Sequence, residues 1–190
     1  MRPLVFQPGA TRLAFGIVTA AYSVRELVLQ ARSRGGGRDP SYYPMLLGPI
    51  AAILLALVLA EVDVRLPGPR WAPAAVGIAL MVAGTAYRNW AVHVLGRFFT
   101  VTVGVEEGHS VVDSGPYRLV RHPSYTGMLV FFAGFGVALD SWLSVAAAAL
   151  PTLAALVIRI SYEERMLRRE LGPPYVGYSA RTKRLIPGVW

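Results

Sequence analysis

Long stretches without charge limit most strongly what this chain can fold into. Residues 41–60 contain no charged side chain, and residues 123–139 and 141–158 form two further uncharged runs separated only by Asp140. A helix of about 20 residues, rising roughly 1.5 Å per residue, matches the hydrocarbon core of a bilayer, about 30 Å thick. Only 16% of the 190 residues are charged, fewer than in ordinary soluble domains. The sequence therefore predicts a polytopic membrane protein.

Two less uniform stretches are also long enough to span. Residues 13–31 are interrupted by Arg25 and Glu26, a pair that either faces protein or snorkels to the interface; we favour snorkelling. Residues 71–94 are polar in their second half, which either faces a cavity or marks an emerging helix end. This span also carries small residues that predict close helix contact: Ala75, Ala79, Ala83, Gly84 and Ala86.

We therefore predict an all-α membrane bundle of five spans. Residues 1–190 are expected to form one domain, with N-terminal spans in 1–94 and a second half, 95–190, that contains the longer polar segments. Asp140 is predicted at the tip of a C-terminal helical hairpin, and Pro151 should kink its second arm.

The positive charges predict the orientation of the spans. Lysine and arginine concentrate in residues 32–41, in residues 96–122 and after residue 158, which places these segments in the cytoplasm and the N-terminus outside. Both long polar segments then share one face and can form one site. The alanine, glycine and arginine bias favours a bacterial inner membrane.

Composition excludes several kinds of site. The net charge of +8 does not indicate nucleic-acid binding, because the arginines cluster at the ends of apolar segments. The chain has no cysteine, which rules out disulfides and thiolate chemistry. His93 and His109 have no positioned acidic partner, so no metal site is expected.

The segment GPYRLVRHPSYTG at residues 115–127 concentrates polar groups directly before an apolar run. The Gly-Pro pair and the proline after His122 predict a backbone turn with exposed amides and carbonyls, which can hold a polar cofactor. A membrane-interface anchor is the alternative. Upstream, the alternation through Phe99, Val101, Val103 and Val105 predicts a short extended piece.

The tail after the last span predicts a basic helix, EERMLRRELG, that ends at Gly172. It begins with Glu163 and Glu164, which lie about 100° apart around a helix. One can face inward while the other pairs outward. The alternative is a pair of solvated i,i+4 salt bridges with Arg159 and Arg168.

Taken together, four segments resemble the isoprenylcysteine carboxyl methyltransferase family, with wider kinship to membrane phospholipid methyltransferases. They are LGRFFT at 95–100, GPYRLV at 115–120, RHPSYTG at 121–127 and EERMLRRELGPPYVGYSARTKRLIP at 163–187. The resemblance covers about the last half of the chain and leaves the first two spans without a signature. It implies an intramembrane transferase that holds S-adenosylmethionine between the hairpin and the cytoplasmic tail.

The resemblance also implies the site residues. Those expected to bind the cofactor are Tyr117, His122, Pro123, Tyr125, Gly127, Glu163, Glu164, Tyr175 and Tyr178. Those expected to act in catalysis are Arg121, Arg181 and Glu164. A carboxylate acceptor is ionised near pH 7 and needs no base, and an arginine fork can position it.

Several functions stay open at this point. The favoured one is carboxyl O-methylation of a lipophilic or lipidated substrate that enters from the bilayer, by a monomer or dimer among membrane lipids. The second is methylation of an amine, for which Glu163 or Glu164 could serve as base. The third is a sterol-reductase-like enzyme with a nicotinamide cofactor, and the last is a membrane scaffold without activity.

Overall fold

The computed structural model describes residues 3–32, 39–62, 64–101 and 110–190. Within these ranges the chain forms α-helices and short 3-10 helices and no strand, as predicted. The α-helices are α1 (Ala10–Arg32), α2 (Tyr42–Leu59), α3 (Trp71–Leu95), α4 (Pro123–Ala138), α5 (Trp142–Glu170) and α6 (Pro173–Arg181). Val103, Val105, His109 and most of the basic loop at 32–41 lie outside the described residues.

Three helices, α1, α2 and α5, are long and apolar enough to cross a membrane by length and composition. Helix α4 is a shorter apolar helix of 16 residues. Helix α3 has 25 residues but carries the polar groups noted above in its second half. The helical membrane architecture is confirmed, while the count of five crossings and their orientation stay predictions.

Helices α3 and α4 make the closest helix contact. A Cβ atom added at Gly84 would lie 2.6 Å from the carbonyl oxygen of Gly127, and one added at Gly127 would lie 2.6 Å from that of Gly84. Glycine is needed at both positions because the two backbones touch there. The prediction for α3 is right only at Gly84, since the other four small residues are exposed: Ala75, Ala79, Ala83 and Ala86.

The hairpin between α4 and α5 turns at Asp140, as predicted. Asp140 has a left-handed backbone with φ 54°, and its carboxylate pairs with Arg65 at 3.2 Å. The basic helix predicted for EERMLRRELG is present as the last turns of α5, which runs without a break to Glu170 and stops before Gly172, as predicted. Hydrogen bonds from Arg121 and Tyr125 to the carboxylates of Glu164 and Glu163 stabilise its last turns. Pro151 lies inside this continuous helix.

After α6 the tail folds back onto the segment that precedes α4. The amide of Arg121 donates to the carbonyl of Lys183 at 2.7 Å, and the amide of His122 donates to that of Arg184 at 3.0 Å. The hydroxyl of Thr126 donates to a further tail carbonyl at 2.8 Å. The two polar segments therefore form one site, as predicted. The amides expected to be exposed are instead bonded to the tail.

Candidate active site

A cavity with charged, aromatic and apolar walls, the tail-side cavity, lies between the C-terminal part of α5, α6 and the segment before α4, with a volume of about 80 Å³. It brings together most of the predicted cofactor residues. Those that line it are Tyr117, His122, Tyr125, Glu163, Tyr175 and Tyr178. Arg121, predicted as a catalytic residue, lines it as well. Phe98, Phe99 and Leu167 complete an aromatic and apolar wall.

The two adjacent glutamates have different partners. Glu163 lines the cavity and accepts a hydrogen bond from the hydroxyl of Tyr125 at 2.7 Å. Glu164 is buried and accepts from Arg121 Nε at 2.8 Å and from Arg184 Nε at 3.2 Å. His122 Nε2 lies 3.4 Å from the same carboxylate. Both glutamates therefore contact other elements, and the expectation that one of them pairs outward is wrong.

Arg121 directs its donors to the tail. Besides Glu164, its guanidinium donates to the carbonyl of Ser179 at 2.9 Å and to that of Thr182. The side chain is 7% exposed and forms part of the cavity wall. These contacts fix the tail against the start of α4.

Four predicted site residues lie outside the lining of this cavity, among them Glu164, which is buried and bonded to Arg121. Arg181 is exposed and pairs with Asp113 at 2.8 Å. Pro123 is the first residue of α4. Gly127 lies at the contact with α3, where its missing Cβ allows the close approach.

A second, larger cavity, the membrane-side cavity, lies between α1 and α2 and over α4, with a volume of about 260 Å³. Its walls are mainly apolar. They include Met45, Leu46, Ile50, Ile53, Met128, Phe131 and Phe132. The sequence did not reveal this cavity, because the first two spans carry no signature.

The two cavities adjoin. Phe99, Thr100, Tyr125 and Arg159 line both of them. Arg159 is 2% exposed and donates from Nε to the hydroxyl of Tyr125 at 3.2 Å and from Nη2 to the carbonyl of Val101 at 2.6 Å. Its remaining nitrogen donates to Asp39 and to Ser41. We call the contact between Tyr125 and Arg159 the junction.

Arg159 was missed as a site residue by sequence reasoning, which considered it only as a salt-bridge partner of Glu163. Its position at the end of the uncharged run 141–158 was the available signal. Its actual acidic partner, Asp39, lies 120 residues away in sequence, so no local pattern could indicate it.

The charged pair in α1 faces protein, so the preference for snorkelling was wrong. Glu26 accepts from Arg88 Nε at 2.8 Å and from Nη2 at 2.7 Å, and Arg88 is 3% exposed. Arg88, which makes both bonds to Glu26, lies on α3. The sequence did not indicate this ion pair, because it does not show which helices pack together. The polar half of α3 was predicted either to face a cavity or to mark an emerging helix end; Arg88 lines the membrane-side cavity, as the first of these predicts.

Each cavity is lined by a tyrosine whose buried hydroxyl has no hydrogen-bond partner among the described residues. Tyr175 lines the tail-side cavity and Tyr22 lines the membrane-side cavity. Burial raises the pKa of Tyr175, as do the nearby charges of Glu164 and Glu163. The phenol is therefore a neutral hydrogen-bond donor near pH 7. A buried donor without a partner fits a ligand acceptor.

The isoprenylcysteine carboxyl methyltransferase (ICMT) family model matches residues 77–169. Protein-S-isoprenylcysteine O-methyltransferase B of Arabidopsis thaliana is 33% identical over 144 residues, which cover 73% of this chain and 73% of the relative. The chain belongs to the ICMT family. The ICMT relative of Mus musculus is 30% identical over 115 residues, 60% of this chain and 41% of its own.

The fold agrees with that of a solved ICMT family structure, the eukaryotic intramembrane Ras methyltransferase ICMT. The TM-score is 0.68, with 98% of this chain and 70% of that chain covered. At 21% identity this match concerns the fold, and it extends over α1 and α2, which the sequence resemblance did not reach.

Proposed function

We propose that this protein transfers the methyl group of S-adenosylmethionine to the carboxylate of a lipophilic, isoprenylcysteine-like acceptor. The observation that carries the proposal is the contact between the two cavities: one with charged and aromatic walls and one with mainly apolar walls share Tyr125 and Arg159. Methyl transfer between a polar donor and a lipid acceptor needs such a meeting point. The names of the family relatives support the same reaction class.

The residues of the tail-side cavity suit S-adenosylmethionine. Its sulfonium is a cation, which aromatic faces and a carboxylate attract, and the cavity offers Tyr117, Tyr178 and Glu163. The unpartnered hydroxyl of Tyr175 provides a neutral donor for an oxygen or nitrogen of the cofactor. When bound, this cofactor supplies an electrophilic methyl group.

The membrane-side cavity suits the apolar part of the acceptor, and the junction suits its carboxylate. Arg159 and the hydroxyl of Tyr125 lie where the apolar wall ends. A carboxylate is ionised near pH 7, so the protein need only align the two reactants and exclude water. Arg159 is held by acceptors on several elements, which fixes its orientation.

The predicted catalytic residues divide into two groups. Arg121 and Glu164 join α5 to the tail and so close the tail-side cavity. We assign them a positioning role. Arg181 is exposed beside Asp113, and its guanidinium lies 5.7 Å from the ring centroid of Tyr178. It lies outside the lining of both cavities, so we assign it no part in transfer.

The cellular arrangement follows from charge. We place the tail-side cavity at the cytoplasmic face of a bacterial inner membrane, with the N-terminus outside, because the part of α5 that lines this cavity carries Arg165, Arg168 and Arg169. Residues 1–190 are treated as one domain, because walls of the membrane-side cavity come from both halves of the chain.

The test is methylation by the detergent-purified full-length chain, supplied with labelled S-adenosylmethionine. N-acetyl-S-farnesylcysteine and phosphatidylethanolamine serve as alternative acceptors. We expect base-labile methyl ester on the farnesylcysteine and none on the amine. Label on phosphatidylethanolamine alone would show N-methylation, and binding of NADPH without S-adenosylmethionine would show a reductase; either result contradicts the proposal.

A further inference from the structure

Tyr22 lines the membrane-side cavity, and contacts with two aromatic rings hold its side chain in place. Its ring stacks on Phe131 with centroids 3.8 Å apart and meets Phe132 edge-on at 6.1 Å. The residue is 5% exposed, and its hydroxyl has no hydrogen-bond partner among the described residues. A buried donor left unpaired is unfavourable, so a ligand acceptor at this point gains a hydrogen bond with no competitor.

A charged cluster lies one helical turn further along α1. Glu26 is bonded by Arg88 from α3 and by its neighbour Arg25, whose Nη1 lies 2.6 Å from the carboxylate. Two cations therefore share one carboxylate, and the cluster carries a net positive charge. Glu26 and Arg88 line the same cavity as Tyr22, so this part of the wall favours an electron-rich group on a ligand.

This polar wall lies close to the junction. Arg88 Nη1 donates to the carbonyl of Ser124 at 3.2 Å and to its hydroxyl at 3.1 Å. Ser124 lines the tail-side cavity and directly precedes Tyr125. Arg88 therefore connects the polar wall to the point where the two cavities meet. An acceptor whose carboxylate lies at the junction therefore places any polar group near its reacting end beside this polar wall.

We propose that Tyr22, with Arg88 and Glu26 behind it, forms a subsite for a hydrogen-bond-accepting group next to the acceptor carboxylate. An amide carbonyl has the required chemistry: it is neutral, electron-rich and able to accept from a phenol. The subsite makes the protein selective for N-acylated or peptide-linked acceptors over simple thioether acids. The location of the carboxylate rests on the proposed function, whereas the binding selectivity can be measured without it.

The test uses two probes that differ only by an acetamido group, N-acetyl-S-farnesylcysteine and S-farnesylthiopropionate. Calorimetry on the detergent-purified full chain should show the amide-bearing probe binding about tenfold more tightly to the wild type. In Tyr22→Phe, which keeps the stacked ring, the two affinities should agree to within about twofold. The matched control is Tyr43→Phe on α2, where the side chain is 66% exposed; it should keep the wild-type preference.

Equal affinity of the wild type for both probes would overturn the subsite, whatever the folding of the variant. A preference that persists in Tyr22→Phe would overturn it as well. Since no methyl donor is present in these titrations, a wild type that shows the preference but methylates neither probe supports the subsite and contradicts the proposed function. A wild type that binds neither probe contradicts both.

Discussion

At the scale of single residues, the hydroxyl of Tyr175 gives the most direct test of the donor site. Tyr175→Phe removes one buried, unpartnered donor and leaves the ring in place. We expect the dissociation constant for S-adenosylmethionine to rise about tenfold, as for the loss of one buried hydrogen bond. Calorimetry measures it, with Tyr162→Phe as the control, because that ring is half-exposed under Arg165. An unchanged dissociation constant in Tyr175→Phe would remove this residue from the donor site.

The sequence predicted the residue types of the site better than their partners. The motif gave Arg121, Glu163 and Glu164, and the structure brings all three to the tail-side cavity or its wall. It did not give Arg159 or Arg88, because their acidic partners are far away in sequence. A buried charge is recognised only when its partner is known, and that depends on how the helices pack.

At the scale of elements, the contact between α3 and α4 predicts a purely structural role for Gly127. A Cβ atom there would lie 2.6 Å from the carbonyl oxygen of Gly84 and 2.7 Å from the amide nitrogen of Arg88. Gly127→Ala should therefore lower the free energy of unfolding by about 1–3 kcal/mol. The dissociation constant for S-adenosylmethionine should stay within about twofold of the wild type, since only packing is disturbed.

The matched control for Gly127→Ala is Gly16→Ala in α1. No atom lies within 4 Å of a Cβ atom added at Gly16, so alanine should be neutral or slightly stabilising there. Denaturant titration in one detergent compares the two variants. Equal losses of stability would contradict the close-packing argument, and a large loss of donor affinity in folded Gly127→Ala would restore the cofactor role implied by the resemblance.

The docking of α6 predicts an alkaline limit to stability. Burial raises the pKa of Tyr178 to about 12, and its hydroxyl donates to the carbonyl of Tyr117 at 2.8 Å. Because the folded pKa is above the unfolded value of 10.0, this contribution to stability is complete below pH 10 and is lost as the pH rises through 12. The difference in unfolding temperature between the wild type and Tyr178→Phe should therefore narrow across this window. A difference in unfolding temperature that stays constant across this pH window would contradict the stabilising role of the Tyr178 hydroxyl.

The helices themselves were largely predictable, because runs without charge leave few alternatives. The failures have a common cause. The small residues of α3 were expected at a helix contact that only Gly84 among them makes, and the sequence did not show that the apolar and basic parts of α5 form one continuous helix. Amino-acid composition indicates whether a helix segment lies in lipid or in water. Where a helix ends and which of its faces is buried depend on the neighbouring helices.

At the scale of the whole molecule, the membrane-side cavity predicts that α2 has one functional face and one inert face. Leu46 lines the cavity, whereas Leu47 is 57% exposed. Leu46→Trp should fill part of the cavity and raise the KM for N-acetyl-S-farnesylcysteine about tenfold or more. Binding of S-adenosylmethionine should not change. Leu47→Trp adds the same bulk on the outer face and should leave both quantities as in the wild type; equal effects of the two substitutions would contradict the assignment of the cavity.

The fold-back of the tail has a consequence for biosynthesis. The walls of the tail-side cavity come from residues near 120 and near 160–180, and they are joined through the carbonyls of Lys183 and Arg184. While the chain is being made, all the long apolar helices are synthesised before these carbonyls exist. The helices can thus form first, but the tail-side cavity is complete only after Lys183 and Arg184 have been added and have folded back. Formation of the helices and completion of this cavity are separate events in time.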